Sequence, residues 1–294
     1  MIHTISSGTL SVSADTRGAE LSSIRTTGSD GFEYLWQGDP AYWMGRAYNL
    51  FPYVGRMWEK RYYLDGQAYG MNTHGFARHA EFALVSHTDD TMVLELTDSP
   101  DTLREYPRHF SFRVTYHVEG NTLTYRYTVK NTDARPMYFG LGGHPGFNVP
   151  MRDGLAFTDY RLEFDGDASS AKCVYLTDDA HPDGTRTPYP LKDGRALPLS
   201  HDLFNRDAVV LTDVPHTVSI VTDKDSRGLR VTTPQMDYVG FWHKPKTDAP
   251  YVCIEPWVTL PSLQGVSPVL EEQEGLIHLA PGATYENTWT IEVF

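Results

Sequence analysis

The chain has 294 residues and a formal net charge of −13, and it is 40% hydrophobic and 21% charged. This composition provides enough apolar surface for a large globular core. The acidic balance argues against nucleic acid or an anionic membrane as the partner and favours a neutral small molecule. The chain starts without a basic segment and apolar run, and no stretch is long enough to span a bilayer. We therefore expect a soluble, cytoplasmic protein, whose oligomeric state the composition leaves open.

Alternation of apolar and polar residues with a period of two is the main pattern along the chain. It occupies five stretches: residues 10–14, 92–96, 110–118, 123–129 and 289–293. A period of two predicts half-buried antiparallel strands. Because Glu119-Gly120-Asn121 offers a turn between the third and fourth stretches, we predict a hairpin there.

Helical signals are almost absent. The segment from Pro100 to Tyr106 allows one or two helical turns, and the segment from Asp165 to Asp202, rich in Asp, Gly and Pro, predicts long loops. The 24 Gly and 19 Pro are spread along the chain between short strands. We predict an all-β fold, a large antiparallel sandwich in which residues 1–294 form a single domain.

Cysteine usage gives no sign of a disulfide-linked or metal-bound fold. Cys173 and Cys253 lie far apart and have no metal-ligand spacing, and the clustered histidines of a metal-dependent cupin are missing. We predict two buried free thiols and no bound metal.

Four short segments concentrate titratable side chains beside aromatic residues and glycines. They are Asn49-Leu50-Phe51-Pro52-Tyr53-Val54-Gly55-Arg56, His74-Gly75-Phe76-Ala77-Arg78, Gly142-Gly143-His144-Pro145-Gly146-Phe147 and Cys253-Ile254-Glu255-Pro256-Trp257. Ordinary strands and turns do not need this composition, so these segments are the candidates for a functional site.

Glu255 stands out in the last segment. Period-2 geometry places it on one strand face with Tyr251, Cys253 and Trp257. A carboxylate on a mostly apolar face needs a partner or a chemical task, because burial without a partner is costly and raises its pKa. A salt bridge between Glu255 and an arginine at the rim of a site is the alternative interpretation.

His144 lies between two glycines and a Pro-Gly pair, a setting that lets the backbone approach a ligand and holds the side chain in place. The same residues are also compatible with a histidine that only hydrogen-bonds a turn. That alternative applies equally to His74, and Arg56 could be an ordinary surface arginine.

In their order along the chain, these segments resemble the aldose 1-epimerase (galactose mutarotase) superfamily, especially its LacX-like and hexose-6-phosphate-mutarotase-like branch. The resemblance extends from Gly18-Ala19-Glu20-Leu21 through Tyr34-Leu35-Trp36-Gln37-Gly38-Asp39-Pro40 to Ile254-Glu255-Pro256-Trp257. It implies a galactose-mutarotase-like β-supersandwich, with the sugar site on the concave face of the larger sheet.

The resemblance also implies roles for individual residues. The substrate-binding arginine and histidine of the family correspond to Arg56 and His74, its general acid to His144 and its general base to Glu255. Asp207 has the right place in the order for the sugar-binding aspartate, although its neighbours depart from the family pattern. Four aromatic residues are candidates to pack against the sugar ring, and core packing is the alternative for each: Phe76, Phe147, Trp242 and Trp257.

The expected activity is mutarotation, the interconversion of the α and β anomers of an aldohexose. The reaction needs one base and one acid on either side of a sugar ring and no cofactor. A phosphorylated hexose is an alternative substrate, because Arg78 is placed like a phosphate-contacting arginine. Four other cations could assist it: Arg46, Arg61, Lys244 and Lys246. A carbohydrate-binding protein without catalysis is the third possibility.

Overall fold

The computed structural model describes residues 1–29 and 31–294, and most of its regular structure is strand. In chain order the strands are β1 (Ile2–Ser6), β2 (Leu10–Asp15), β3 (Leu21–Thr26), β4 (Ala47–Leu50), β5 (Arg61–Leu64), β6 (Gln67–Gly70), β7 (Ala83–His87), β8 (Thr91–Thr97), β9 (Phe110–Glu119), β10 (Thr122–Asn131), β11 (Met137–Phe139), β12 (Gly142–Asn148), β13 (Arg161–Phe164), β14 (Lys172–Leu176), β15 (Pro182–Pro188), β16 (Ala196–Pro198), β17 (Val209–Thr212), β18 (Thr217–Thr222), β19 (Asp225–Thr232), β20 (Tyr238–Trp242), β21 (Tyr251–Trp257), β22 (Ile277–Leu279) and β23 (Thr284–Val293).

Helical structure is confined to short pieces. One α-helix, α1, spans Pro100–Glu105 as predicted; Ser99 caps its start by accepting a hydrogen bond from the Thr102 N–H. The 3₁₀ turns are Trp58–Lys60, Ala77–His79, Phe157–Asp159 and His201–Phe204. None of the helices in the described ranges is long and apolar enough to cross a membrane.

Two large antiparallel sheets carry the fold. In the described residues one has nine strands in the order β16-β13-β18-β19-β23-β10-β9-β8-β7, and the other has seven in the order β15-β14-β17-β20-β21-β12-β4. Smaller sheets are formed by β1-β2-β3, β11-β22 and β5-β6. The predicted all-β class of antiparallel strands is therefore confirmed.

The predicted hairpin is β9 and β10 of the nine-stranded sheet. Tyr116 pairs with Tyr125 and Val114 with Tyr127, and these side chains alternate with more exposed ones along both strands. This alternation buries one face of the hairpin in the core, which is the arrangement that a period of two predicts.

The segment from Asp165 to Asp202 differs from the loops that its composition predicts. It contains β14, β15 and β16, which extend one edge of each large sheet. Most of β15 is exposed and polar, so it shows no alternation. Its pairing with β14, rather than its own side chains, makes it a strand.

A buried hydrogen-bond network joins the two large sheets. The hydroxyl of Tyr127 in β10 donates to Oδ1 of Asn49 in β4 over 2.8 Å. The amide of Asn49 donates in turn to the carbonyls of Gly18 (3.0 Å) and Ala19 (2.9 Å). The network holds β4, at the edge of the seven-stranded sheet, against the hairpin of the other sheet.

Candidate active site

Strand pairing brings His144 and Glu255 together. In the ladder between β12 and β21, Gly142 lies opposite Trp257 and Gly146 opposite Cys253. This register places His144 opposite Glu255, and Nε2 of His144 lies 3.2 Å from Oε2 of Glu255. Both side chains are almost fully buried, with residue exposures of 7% and 2%. The pair places an imidazole and a carboxyl group in direct contact.

The faces of β21 follow the predicted alternation. Val252 and Ile254 pack into the main core, whereas Trp257 packs in a separate cluster on the opposite face. On the neighbouring strand β20, Gly240 lies opposite Glu255. A Cβ at Gly240 would lie 3.2 Å from the Trp257 ring and 3.4 Å from Cβ of Glu255, so a glycine leaves room above the carboxylate.

His74 is held by a tight loop next to β4. The Gly55 N–H donates to Nδ1 of His74 over 3.1 Å, and the His74 N–H donates to the Gly55 carbonyl over 2.7 Å. Because Nδ1 accepts a hydrogen bond, the proton of the neutral ring is on Nε2. His74 and Gly75 both have left-handed backbone conformations, with φ of 66° and 70°. The His74 ring lies 5.5 Å from that of His144, nearly perpendicular to it.

These side chains line a cleft with a volume of about 390 Å³, within the range typical of small-ligand sites. Of the residues predicted for a site, the cleft brings together the following: Arg56, His74, Arg78, His144, Asp207, Trp242, Glu255 and Trp257. Arg46, Arg61, Lys244 and Lys246 do not line it.

Two predicted sugar-packing aromatics lie elsewhere. Phe147 is fully buried in the main core, because it is three residues after His144 in β12 and faces the opposite side of the sheet. Phe76 also belongs to the main core, where its ring stacks on Phe110 at 5.9 Å. Both side chains stabilise the core and do not line the cleft.

The sheet that carries the site also differs from the expectation. The resemblance implied the larger sheet, but His144 and Glu255 are on β12 and β21 of the seven-stranded sheet. The inner face of the hairpin in the nine-stranded sheet is filled by core side chains such as Phe112 and Val114. The candidate site is therefore on the sheet with fewer strands.

Trp43 and Tyr48 are cleft residues that were absent from the sequence prediction. Tyr48 lies opposite His144 in the ladder between β4 and β12, and the Trp43 ring lies 4.8 Å from the His144 ring. The guanidinium of Arg78 sits 5.1 Å above the Tyr48 ring. Alternation in the short strand β4 gives a weak signal for Tyr48. Trp43 lies in a segment without regular structure and has no such signal.

The electrostatics of the pair are set by burial. Burial raises the pKa of Glu255 well above its usual range, and the nearby Asp207 adds to this effect. Burial also lowers the pKa of His144 to about 3 and holds the pKa of His74 well below 6.5. For Asp207 burial raises the pKa, and the hydrogen bond from the Ala208 N–H and then the charge of Arg56 oppose the rise. Burial thus favours the neutral forms of both His144 and Glu255.

Sequence and structure comparisons agree with this geometry. The sequence profile described as aldose 1-epimerase matches residues 1–292. Protein LacX (plasmid) of Lactococcus lactis subsp. lactis is 29% identical over 295 residues, which cover 97% of this chain and 96% of LacX.

Two solved structures are similar over the whole chain. A galactose mutarotase related enzyme from Lactobacillus acidophilus has a TM-score of 0.94 and 34% identity, covering 100% of this chain and 97% of that one. A galactose mutarotase-like protein from Lactobacillus casei ATCC 334 has a TM-score of 0.94 and 28% identity, with 100% of both chains covered. Together with the profile match, these similarities establish that the chain belongs to the aldose 1-epimerase family, in its LacX-like branch, and support a carbohydrate epimerase.

Proposed function

We propose that the protein is a mutarotase that interconverts the α and β anomers of an aldohexose by general acid–base catalysis. The observation that carries the proposal is the contact between Nε2 of His144 and Oε2 of Glu255, 3.2 Å apart at the wall of the cleft. One ring opening requires a proton to leave the anomeric hydroxyl and another to reach the ring oxygen, and this pair can perform both transfers.

The proton balance of the pair is the same before and after ring opening. Glu255, as carboxylate, takes the proton of the anomeric hydroxyl, while His144, as imidazolium, donates a proton to the ring oxygen. The bond between the anomeric carbon and the ring oxygen breaks, its electron pair goes to that oxygen, and an aldehyde forms. Rotation about the bond from the aldehyde to the next carbon then exposes the other face, and the reverse transfers close the ring.

Burial suits the second half of this cycle. After ring opening Glu255 is protonated and His144 is neutral, which are the forms that burial favours. That same form of the pair is the one that closes the ring. The interior therefore stabilises the acid–base state that accompanies the open-chain sugar, and neither group has to pass a proton to solvent.

The remaining polar groups of the cleft are positioned to hold hydroxyl groups. His74 presents its Nε2–H as a donor, Arg56 contributes a guanidinium, and Asp207 contributes an acceptor. Trp242 and Trp257 provide apolar ring surface along the wall. We assign these residues to binding and orientation of the sugar.

Substitution of the pair tests the catalytic assignment. We expect Glu255→Gln and His144→Asn each to lower kcat about a hundredfold or more, as loss of general acid–base catalysis does. Polarimetry on freshly dissolved α-glucose or α-galactose measures the rate. His216→Asn, which removes an imidazole outside the cleft, is the control and should retain the parental rate. Near-parental kcat in a folded Glu255→Gln or His144→Asn protein would refute the assignment, and binding of sugar by a parent protein without mutarotation would indicate a binding protein.

A phosphorylated hexose is the second candidate substrate, and one feature of Arg78 favours it. Arg78 lines the cleft, and its Nε is buried without a hydrogen-bond partner among the described residues. A phosphate would supply a charge-assisted acceptor.

Comparison of glucose with glucose 6-phosphate separates the two substrates. If the free sugar is the substrate, Arg78→Ala changes kcat/KM for glucose by less than about tenfold. If the ester is the substrate, the parent prefers glucose 6-phosphate, and Arg78→Ala lowers kcat/KM for the ester alone by roughly ten- to hundredfold. Our first choice remains the free aldohexose, because the chain as a whole is strongly acidic.

A further inference from the structure

The proposed mechanism does not use Cys253, although the thiol lies beside the acid–base pair. Cys253 is fully buried and is not in a disulfide. Its sulfur, a ring nitrogen of His144 and a carboxylate oxygen of Glu255 all lie within 4.8 Å of one another. Nitrogen, sulfur and oxygen donors at one point are the ligand types that Zn²⁺ prefers in proteins.

We propose that His144, Cys253 and Glu255 form a zinc site, and that the bound ion excludes the sugar and inhibits the enzyme. The inhibitory part rests on the proposed function, because it assumes that the sugar needs the same two side chains. The site itself rests only on the positions of the three ligands.

The separations are close to those of a tetrahedral zinc centre. Zn–N, Zn–O and Zn–S bonds of ordinary length give ligand–ligand edges of about 3.3–3.6 Å in a tetrahedron. Nε2 of His144 and Oε2 of Glu255 are already 3.2 Å apart. Since the other separations do not exceed 4.8 Å, side-chain adjustments of about 1 Å bring the thiolate into place.

The cleft gives an ion direct access to two of the three ligands, and the buried sulfur of Cys253 lies within 4.8 Å of the ligand atoms of both. His144 and Glu255 both line the cleft, so the fourth coordination position would face it and be taken by water. Nδ1 of His144 is buried without a hydrogen-bond partner in the described part of the chain, so no hydrogen bond to the protein fixes the tautomer of this ring. On binding, two protons are released to solvent: the thiol proton of Cys253 and the proton carried by the His144–Glu255 pair. Three protein ligands and one open position would result.

The three ligands come from two neighbouring strands, so no motif in the sequence indicates the site. Cys253 and Glu255 are two residues apart in β21, and His144 is more than a hundred positions earlier in β12. Motif-based prediction depends on ligands that are close in sequence. The proposed site departs from the expectation of no bound metal, and the experiments below decide between them.

Cobalt spectroscopy tests the site without using enzyme activity. Co²⁺ substitutes for Zn²⁺, and a cysteine thiolate bound to Co²⁺ gives a near-ultraviolet charge-transfer band. We expect the metal-free parent protein to develop this band with one equivalent of Co²⁺ and to lose it when Zn²⁺ is added. Absence of the band in the folded parent overturns the proposal.

The two cysteines provide a matched pair of variants. Cys173→Ala leaves Cys253 as the only cysteine in the chain, and this variant should keep the band. Cys253→Ala should lose it. Because Cys173→Ala does not alter the cleft, the assignment holds even if Cys253→Ala folds poorly. A band that survives in Cys253→Ala, or disappears in Cys173→Ala, overturns the proposal.

Inhibition is measured separately. Zn²⁺ should raise the apparent KM of the parent for the sugar while leaving kcat unchanged, and a chelator should reverse this effect. Cys253→Ala should require at least about tenfold more Zn²⁺ for the same inhibition, since even changes around a metal ligand cost that much affinity. If sugar does not abolish the cobalt band, the metal site stands, but the inference that metal and sugar compete for the same side chains is wrong. Activation by Zn²⁺ would overturn the inhibitory role.

Discussion

His144 and Glu255 gain their chemistry from their surroundings rather than from their residue types. An exposed histidine and glutamate 3.2 Å apart would form an ordinary ion pair, whereas these two are almost fully buried. Burial disfavours the charged form of each, so protonated Glu255 beside neutral His144 is favoured over the ion pair. In the proposed mechanism the pair takes one proton from the sugar and returns another, so it carries one proton throughout.

This environment leads to a prediction for the pH dependence of kcat/KM. The active pair carries one proton. It gains a second only below the pKa of His144, about 3, and loses its only proton above the raised pKa of Glu255. We therefore expect kcat/KM to stay constant as the pH falls from neutral to about 4, without the decline near 6.5 that an ordinary histidine would produce.

Initial rates by polarimetry, corrected for uncatalysed mutarotation at each pH, measure this profile. Circular dichroism at each pH provides the control for unfolding. A titration step near 6.5 in the kcat/KM of a folded protein would mean that the proton balance assigned to His144 is wrong.

The glycines of the site segments act at the level of strands and loops. Gly75 has φ of 70°, and a Cβ at this position would overlap the backbone of Phe51. The Phe51 carbonyl there accepts hydrogen bonds from the N–H groups of Phe76 and Ala77. The close approach anchors the loop that carries His74 to the end of β4. Loss of this approach should affect both stability and substrate binding.

We predict that Gly75→Ala lowers the free energy of unfolding by about 2–4 kcal/mol, from left-handed strain and the backbone overlap together. It should also lower kcat/KM by displacing His74. Gly66→Ala is the matched control, because Gly66 has φ of 72° but no atom within 4 Å of its Cβ position. Gly66→Ala should lower the free energy of unfolding by only about 1 kcal/mol and leave kcat/KM unchanged. Urea denaturation gives the free energy of unfolding of both variants. An equal decrease in Gly75→Ala and Gly66→Ala would show that the contact with Phe51 is unimportant.

The network around Asn49 connects the two sheets across the molecule. Asn49 and Tyr127 are fully buried, and the hydroxyl of Tyr127 supplies the donor for Oδ1 of Asn49. Tyr125 lies on the same strand and is buried to the same extent, but its hydroxyl has no partner among the described residues. The two tyrosines therefore differ mainly in whether the hydroxyl group has a hydrogen-bond partner.

We predict that Tyr127→Phe destabilises the protein by about 1–3 kcal/mol, because Oδ1 of Asn49 loses its donor in the interior. Tyr125→Phe should leave the free energy of unfolding unchanged or raise it, because it removes a buried polar atom that makes no hydrogen bond to any described residue. Equilibrium denaturation of the two variants under identical conditions makes the comparison. A Tyr125→Phe protein that is as unstable as Tyr127→Phe would contradict the role of the network.

Local patterns in the sequence were sufficient for part of this structure. Alternation predicted the hairpin of β9 and β10 because one face of each strand is buried and the other is not. It failed for β15, which is exposed along most of its length and is defined by its partner. The polar residues beside glycines predicted several of the polar side chains that line the cleft, among them Arg56, His74 and His144, since backbone constraints at such positions are local.

By itself, the sequence determined the all-β class and the candidates His144, Glu255, His74 and Arg56. Only the tertiary structure decided which side chains share the cleft. It placed Phe76 and Phe147 in the core, added Trp43 and Tyr48, and set Cys253 beside the acid–base pair. The physical reason is that side-chain environment depends on which strands pair and in which register, and these pairings join residues more than a hundred positions apart.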